Sequence, residues 1–307
     1  MRVARAVLVV LFATAAGAAA QVRPEGDEWL RRPVDDRTFG TFLPFFAYDE
    51  KQPLDVRVSA TQDVEGVTVE VLSYASGPGM RVTARLHLAS GGGTRGPGVV
   101  LMHGGVSPGK DGPGIKSFAE FLARAGYTTL VFDLQYFGER RTDLLTTFSE
   151  AEKHDKLYNQ PGAYLSWVIQ TVKDAGRGYD LLVERGVDPR RVALIGISRG
   201  GQLSLIVGGA DRRFASVLAL ISGHFDAFET GHQAAACPAN YIGRISPRPL
   251  LMLNGNLDAD YKRSVSVDPL QRLAREPKQL VWHEEGHTLP SEFTRATVMQ
   301  FLRERMK

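Results

Sequence analysis

Arg191-Val192-Ala193-Leu194-Ile195-Gly196-Ile197-Ser198-Arg199-Gly200-Gly201-Gln202 is the stretch on which the fold turns. The run Val192 to Ile197 is apolar without alternation, as strands are when both of their faces are covered. A helical stretch, Gly200 to Val207, follows it directly. Between the two, Gly196, Ser198 and Gly200 have G-x-S-x-G spacing, and in a strand-to-helix setting that spacing makes a sharp turn with the serine hydroxyl in the open. Glycines two before and two after the serine leave the tight turn free of side chains. Ser198 also lies at a helix N-terminus, where free N–H groups and the helix dipole favour negative charge on a bound oxygen. It is therefore the candidate nucleophile, against the plainer role of a helix N-cap serine.

Similar unbroken apolar runs occur at Gly98 to Met102, Thr128 to Phe132, Ser216 to Ile221, Pro249 to Leu253 and Gln279 to Trp282. Helical stretches separate them: Lys116 to Ala125, Pro161 to Glu184, Asp268 to Arg275 and Ser291 to Met306. This alternation predicts an α/β fold with a mostly parallel central sheet and helices on both faces. Upstream, Val56, Val58, Val67, Val69, Val71, Val82, Ala84, Leu86 and Leu88 alternate with polar residues, which predicts an antiparallel meander. Two stretches break the pattern, Gln135 to Gln160 and Gly223 to Gly243. Both follow strand C-termini, where open α/β sheets place their ligands, so they are expected to wall the pocket. Each is too short for a large cap domain.

Arg2 and Arg5, the apolar run Ala6 to Ala13 and the small residues Ala18-Ala19-Ala20 read as a secretory signal peptide over residues 1–20, implying an exported, periplasmic or extracellular protein. The apolar run is shorter than the ~20 residues of a bilayer span. Residues 21–53, rich in Pro, Asp, Arg and aromatics without a clear period, are expected to form an extended arm on a domain spanning 54–307. Removing Arg2 and Arg5 from the formal charge of +3 leaves the remainder near +1, which gives no reason to expect nucleic acid or an anionic membrane as partner. A single cysteine, Cys237, cannot form an intramolecular disulfide and reads as a packed small hydrophobe. One cysteine also allows no C-x-x-C pair, and no metal or organic cofactor is expected.

A serine hydroxyl needs a base to take its proton as it attacks. Of the seven histidines, His287 falls in Glu284-Glu285-Gly286-His287-Thr288, between the last buried strand and the final helix, on a loop that can reach the serine. His283 ends a strand and is the second choice, while His87 is expected on the polar face of the meander. Asp258, just beyond the strand ending at Leu253, is the candidate acid that orients the imidazole, with Asp260 as its rival. The chain order Ser198, Asp258, His287 is that of the α/β-hydrolases. Acyl transfer also needs oxyanion donors, expected from the backbone N–H groups of Arg199 and of Gly105 in His103-Gly104-Gly105.

With these segments in order, and with Phe132-Asp133, Gly138-Glu139-Arg140 and Ser246-Pro247-Arg248-Pro249 between them, the chain resembles the dienelactone-hydrolase-like and acetyl-xylan-esterase-like branch of the α/β-hydrolases from about Leu86 to Met306. Dienelactone hydrolases proper use a cysteine nucleophile, whereas Ser198 stands here. The resemblance thus implies a serine hydrolase acting on ordinary carboxylic esters of small molecules through an acyl-enzyme. Two other readings stay open: a prolyl-oligopeptidase-like serine peptidase, which no β-propeller-length segment upstream supports, and a catalytically silent binding protein of the same fold.

Overall fold

The computed structural model describes residues 27–90, 96–289 and 291–306. The expected signal peptide and most of the glycine-rich segment before Gly98 lie outside the described residues. Where an extended arm was expected, the chain instead forms three short helices: α1 (Asp27–Arg31), α2 (Asp36–Gly40) and α3 (Leu43–Phe46). Phe39 in α2, Phe46 in α3 and Phe42 at the N-cap between them are all buried. Phe39 and Phe46 meet the ring of Tyr241 edge-on at 5.2 and 6.1 Å. Burying these rings is what draws the segment into helical turns.

A nine-stranded sheet forms the centre, in the order β1-β2-β3-β5-β4-β6-β7-β8-β9. The meander β1 (Arg57–Val64), β2 (Val67–Gly77) and β3 (Met80–His87) is antiparallel, and β3 joins β5 (Thr128–Phe132) antiparallel as well. All other pairings are parallel, among β4 (Gly98–Met102), β5, β6 (Val192–Ile197), β7 (Ser216–Leu220), β8 (Leu250–Gly255) and β9 (Lys278–His283).

Because side chains alternate across a strand, each central strand feeds two cores. Val100, Met102, Leu194, Val217 and Met252 face the side covered by α6 (Pro161–Glu184), α7 (Arg199–Ala210) and α8 (Asp268–Leu273). Val99, Leu101, Ile195, Leu218 and Leu253 face α4 (Pro113–Arg124) and α9 (Ser291–Arg305). The sheet is thus covered on both faces, as the unbroken apolar runs predicted. A short helix α5 (Glu150–Lys153) runs into a π-helical turn, His154–Tyr158, within the first irregular stretch. Among the described residues no helix is long and apolar enough to cross a membrane.

His87 departs from the expected polar face: it is buried and paired in register with Val69. Val67 and Val69 pack against Ala123 of α4, so the helix covers this corner of the meander too. Burial pushes the His87 imidazole down to about 4, so it stays neutral.

Since Phe39 anchors α2 against Tyr241, Phe39→Ala should lower unfolding free energy by about 3 kcal/mol. Urea denaturation followed by circular dichroism reads this; an unchanged midpoint would mean that the N-terminal helices add nothing to stability.

Candidate active site

Ser198 stands between β6 and α7 with φ 55° and ψ −120°, a conformation that costs a non-glycine residue on the order of 1–3 kcal/mol. Three features hold it there. The Ser198 N–H donates to the Leu220 carbonyl at 2.8 Å. A methyl group at position 196 would collide with the carbonyl of Gly200, and one at 200 with the carbonyls of Met102 and His103. Only glycine at both places lets β6, α7 and the end of β4 close on the serine.

The Ser198 hydroxyl lies 2.8 Å from His287 Nε2, and His287 Nδ1 lies 2.8 Å from Asp258 Oδ2. Asp258 comes from the loop after β8 and His287 from the loop after β9, so neighbouring parallel strands deliver the two partners side by side. Asp258 Oδ1 accepts the amides of Asp260 and Tyr261 at 2.8 and 2.9 Å. The rival carboxylate, Asp260, is 3.8 Å from His287 Nε2, on the serine side of the ring, and its side chain is 45% exposed against 0% for Asp258. Asp258, not Asp260, is therefore the carboxylate hydrogen-bonded to the imidazole Nδ1. His283, at the end of β9, instead accepts the Glu285 amide on Nδ1.

Charge in the site follows from this geometry. Burial opposes ionisation of Asp258, but the bonds from His287 and the Tyr261 and Asp260 amides outweigh it and hold the carboxyl below its ordinary value. Burial likewise disfavours the imidazolium of His287, yet the bond to Asp258 and the charges of Asp258 and Asp260 raise its pKa above 6.5. For Asp260, burial and the neighbouring carboxylates together raise the pKa. Among the described residues, Asp258, Asp260 and His287 are the one group of His, Cys, Asp and Glu side chains close enough to share a metal ion. Both nitrogens of His287 in that group already face hydrogen-bonding partners, Ser198 and Asp258.

Ser198 and His287 open into a cavity of about 840 Å³. Val106, Ile115, Phe118 and Leu289 give it apolar walls. The two irregular stretches supply others: Glu150, Lys153 and Tyr158 from the first, Asp226 and Phe228 from the second. Of the aromatic residues in those stretches, Phe137 and Phe225 are instead buried in packing and Tyr136 packs on the core. Gly105 and Arg199 both line the cavity beside Ser198.

The Arg199 side chain turns inward, away from the role its backbone was expected to play. It is 3% exposed and forms ion pairs with Asp226 and, at 2.6 Å, Glu229. Its guanidinium also lies 4.0 Å from the centre of the Tyr158 ring. Burial would push the Glu229 carboxyl up, but Arg199 and His232 hold it well below the usual carboxylate range. His154 closes the circuit by reaching Asp226 at 2.9 Å. Cys237 is buried in the core, as a small hydrophobe would be, with His224 Nε2 at 3.0 Å from its sulfur.

No protein-family model matches this chain, and no curated protein matches it in sequence. Among solved structures it is similar to an acetyl xylan esterase from a Paenibacillus species, with 17% identity over 91% of this chain and 98% of that one and a TM-score of 0.70. It is also similar to acetyl xylan esterase 1 from a Thermoanaerobacterium species, with 16% identity, 94% and 96% coverage and a TM-score of 0.63. A glucuronoyl esterase from Solibacter usitatus aligns at 14% identity over 89% of this chain and 94% of that one, with a TM-score of 0.57. This likeness over nearly the whole chain, together with the sheet order, shows that the protein has the α/β-hydrolase fold.

Proposed function

We propose that the protein is a serine hydrolase that cleaves carboxylic esters, with Ser198 as nucleophile, His287 as general base and Asp258 as the orienting acid. The observation that carries this reading is the unbroken chain of two 2.8 Å hydrogen bonds from the Ser198 hydroxyl through His287 to buried Asp258. It ends on a serine whose strained backbone faces a cavity large enough for a small-molecule ester. The structural neighbours titled as esterases support the same reaction class.

In this mechanism the Ser198 oxygen attacks the ester carbonyl while His287 Nε2 accepts its proton. The carbonyl oxygen becomes an oxyanion, stabilised by the N–H groups of Gly105 and Arg199. His287, now positive beside Asp258, returns the proton to the departing alcohol and leaves an acyl-Ser198. Water then gives a proton to His287 and attacks the acyl group, and collapse of the second tetrahedral adduct returns that proton to Ser198 and frees the acid. The apolar walls Val106, Ile115, Phe118 and Leu289 favour an ester with a hydrophobic face on one side of the scissile bond. The N-terminal pattern of Arg2, Arg5 and the apolar run supports action after export, in the periplasm or outside the cell.

Ser198→Ala and His287→Ala should each abolish turnover of p-nitrophenyl esters and leave the melting temperature nearly unchanged, while Asp258→Asn keeps weak activity. Wild-type labelling by a fluorophosphonate at Ser198 is expected; a folded protein that is neither labelled nor active on esters sinks the proposal. Faster cleavage of a proline anilide than of an ester would favour the peptidase reading instead.

The pH profile has a definite sign. His287 works as base only when neutral, so kcat/KM should fall as pH drops through a midpoint above 6.5. Asp260→Asn removes a raising charge 3.8 Å away and should move that midpoint to lower pH. A midpoint that stays put in this variant would detach Asp260 from the titration of His287.

A further inference from the structure

Gly105 forms the centre of a one-residue turn, in which the Val106 N–H donates to the Gly104 carbonyl at 2.8 Å. Its two flanking peptide planes are held by different parts of the chain. On the first, the Gly104 carbonyl also meets His103 Nδ1 at 2.6 Å. Because the Leu134 amide donates to His103 Nε2 at 3.0 Å, Nδ1 carries the ring proton and is the donor. In a trans peptide the Gly105 N–H points opposite to that carbonyl, so the imidazole aims it.

The second plane is held from the first irregular stretch. Lys153, 4% exposed, donates from Nζ to the Gly105 carbonyl at 2.7 Å, and Glu150 holds the same ammonium at 2.5 Å. Tyr158 presses on the glycine from the same side, its hydroxyl 2.6 Å from where a Cβ at position 105 would lie. That hydroxyl has no hydrogen-bond partner among the described residues, and the Gly105 carbonyl is bonded by the lysine. Glycine can rotate about both of its backbone bonds, so fixing one plane does not fix the residue. The Val106 N–H that closes the turn on the Gly104 carbonyl shares its plane with the Gly105 carbonyl, so holding that carbonyl also braces the first plane, to which the Gly105 N–H belongs.

We propose that Lys153 is a positioning residue for the oxyanion site: by anchoring the Gly105 carbonyl it keeps the Gly105 N–H directed at the oxygen that becomes negative. The assignment rests on the hydrolase reading above and adds to it a residue that touches neither the serine nor the histidine. Preorganised donors matter most where charge develops, so the lysine supports the transition state more than the bound ester.

The test compares wild type, Lys153→Met and Glu150→Gln on p-nitrophenyl butyrate, with phenylboronic acid as the mimic of the tetrahedral adduct. Lys153→Met should lose at least about tenfold in kcat and a comparable factor in boronate affinity, with KM within about twofold. Glu150→Gln, which frees the ammonium from a carboxylate that is 64% exposed, should show the same split with a smaller, several-fold loss. Thermal melts establish that each variant is folded. Wild-type kcat and boronate affinity in Lys153→Met, or a loss confined to KM, overturns the assignment. Should Lys153→Met not fold, wild-type values in Glu150→Gln overturn it. A wild type that cleaves no ester and takes no fluorophosphonate counts against the hydrolase reading, whereas an active wild type with unaffected variants counts against Lys153 alone.

Discussion

The backbone of Ser198 is held where a side-chain-bearing residue does not rest on its own, and much of the molecule around it exists to hold it there. The turn from β6 into α7 can be this tight only because backbone carbonyls fill the space that methyl groups at positions 196 and 200 would need. Those carbonyls belong to α7 itself and to the end of β4, and β4 is fixed in turn by parallel pairing to both β5 and β6. The strain is local, while the structure opposing it is the sheet and both of its cores. Asp258 and His287 then need no strain of their own, since each sits on a loop leaving a strand of that sheet.

Arg199 ties this centre to the pocket wall. It follows the strained serine directly, yet its side chain pairs with Asp226 and Glu229 from a segment far along the chain. His154, on the other wall stretch, shares Asp226. Asn159 adds bonds to Phe228 and Thr230 at 3.0 and 2.9 Å. A buried ion cluster of this kind contributes little net stability because desolvating the charges costs about as much as their attraction returns. Its effect here is on shape: two irregular stretches are made to agree on one arrangement over the cavity.

The parts of this structure legible in the sequence are those whose signals are local. Unbroken apolar runs marked the covered strands, and Pro161 at its first turn marked the start of the long helix α6. The G-x-S-x-G turn, read with its flanking strand and helix, pointed to Ser198, and loop position relative to strand ends pointed to His287 and Asp258, the residues that the structure brings into one hydrogen-bonded chain. What escaped reading depends on distant partners. His87 alternates as a surface residue should, but α4 happens to cover it. Phe39, Phe42 and Phe46 do carry helical spacing, obscured by the prolines and charges around them. Lys153 and Tyr158 are five residues apart, a separation that puts side chains on different faces of an ordinary α-helix; the π-helical turn between them brings both to Gly105.

The docking of the N-terminal helices has a consequence for the far side of the pocket wall. Val34 donates its amide to Asn240 at 3.0 Å and gives its carbonyl to Arg244 at 2.9 Å, while Tyr241, wedged against Phe39, bonds the Ala235 carbonyl at 2.6 Å. Residues 34–46 therefore brace 235–244, the continuation of the segment whose beginning grips Arg199. Residues 34–46 act on the chamber as a buttress acts on a vault, from outside, through 235–244 and without lining it. Sequence change near Phe39 can thereby alter how the chamber receives a ligand while every group lining it stays the same.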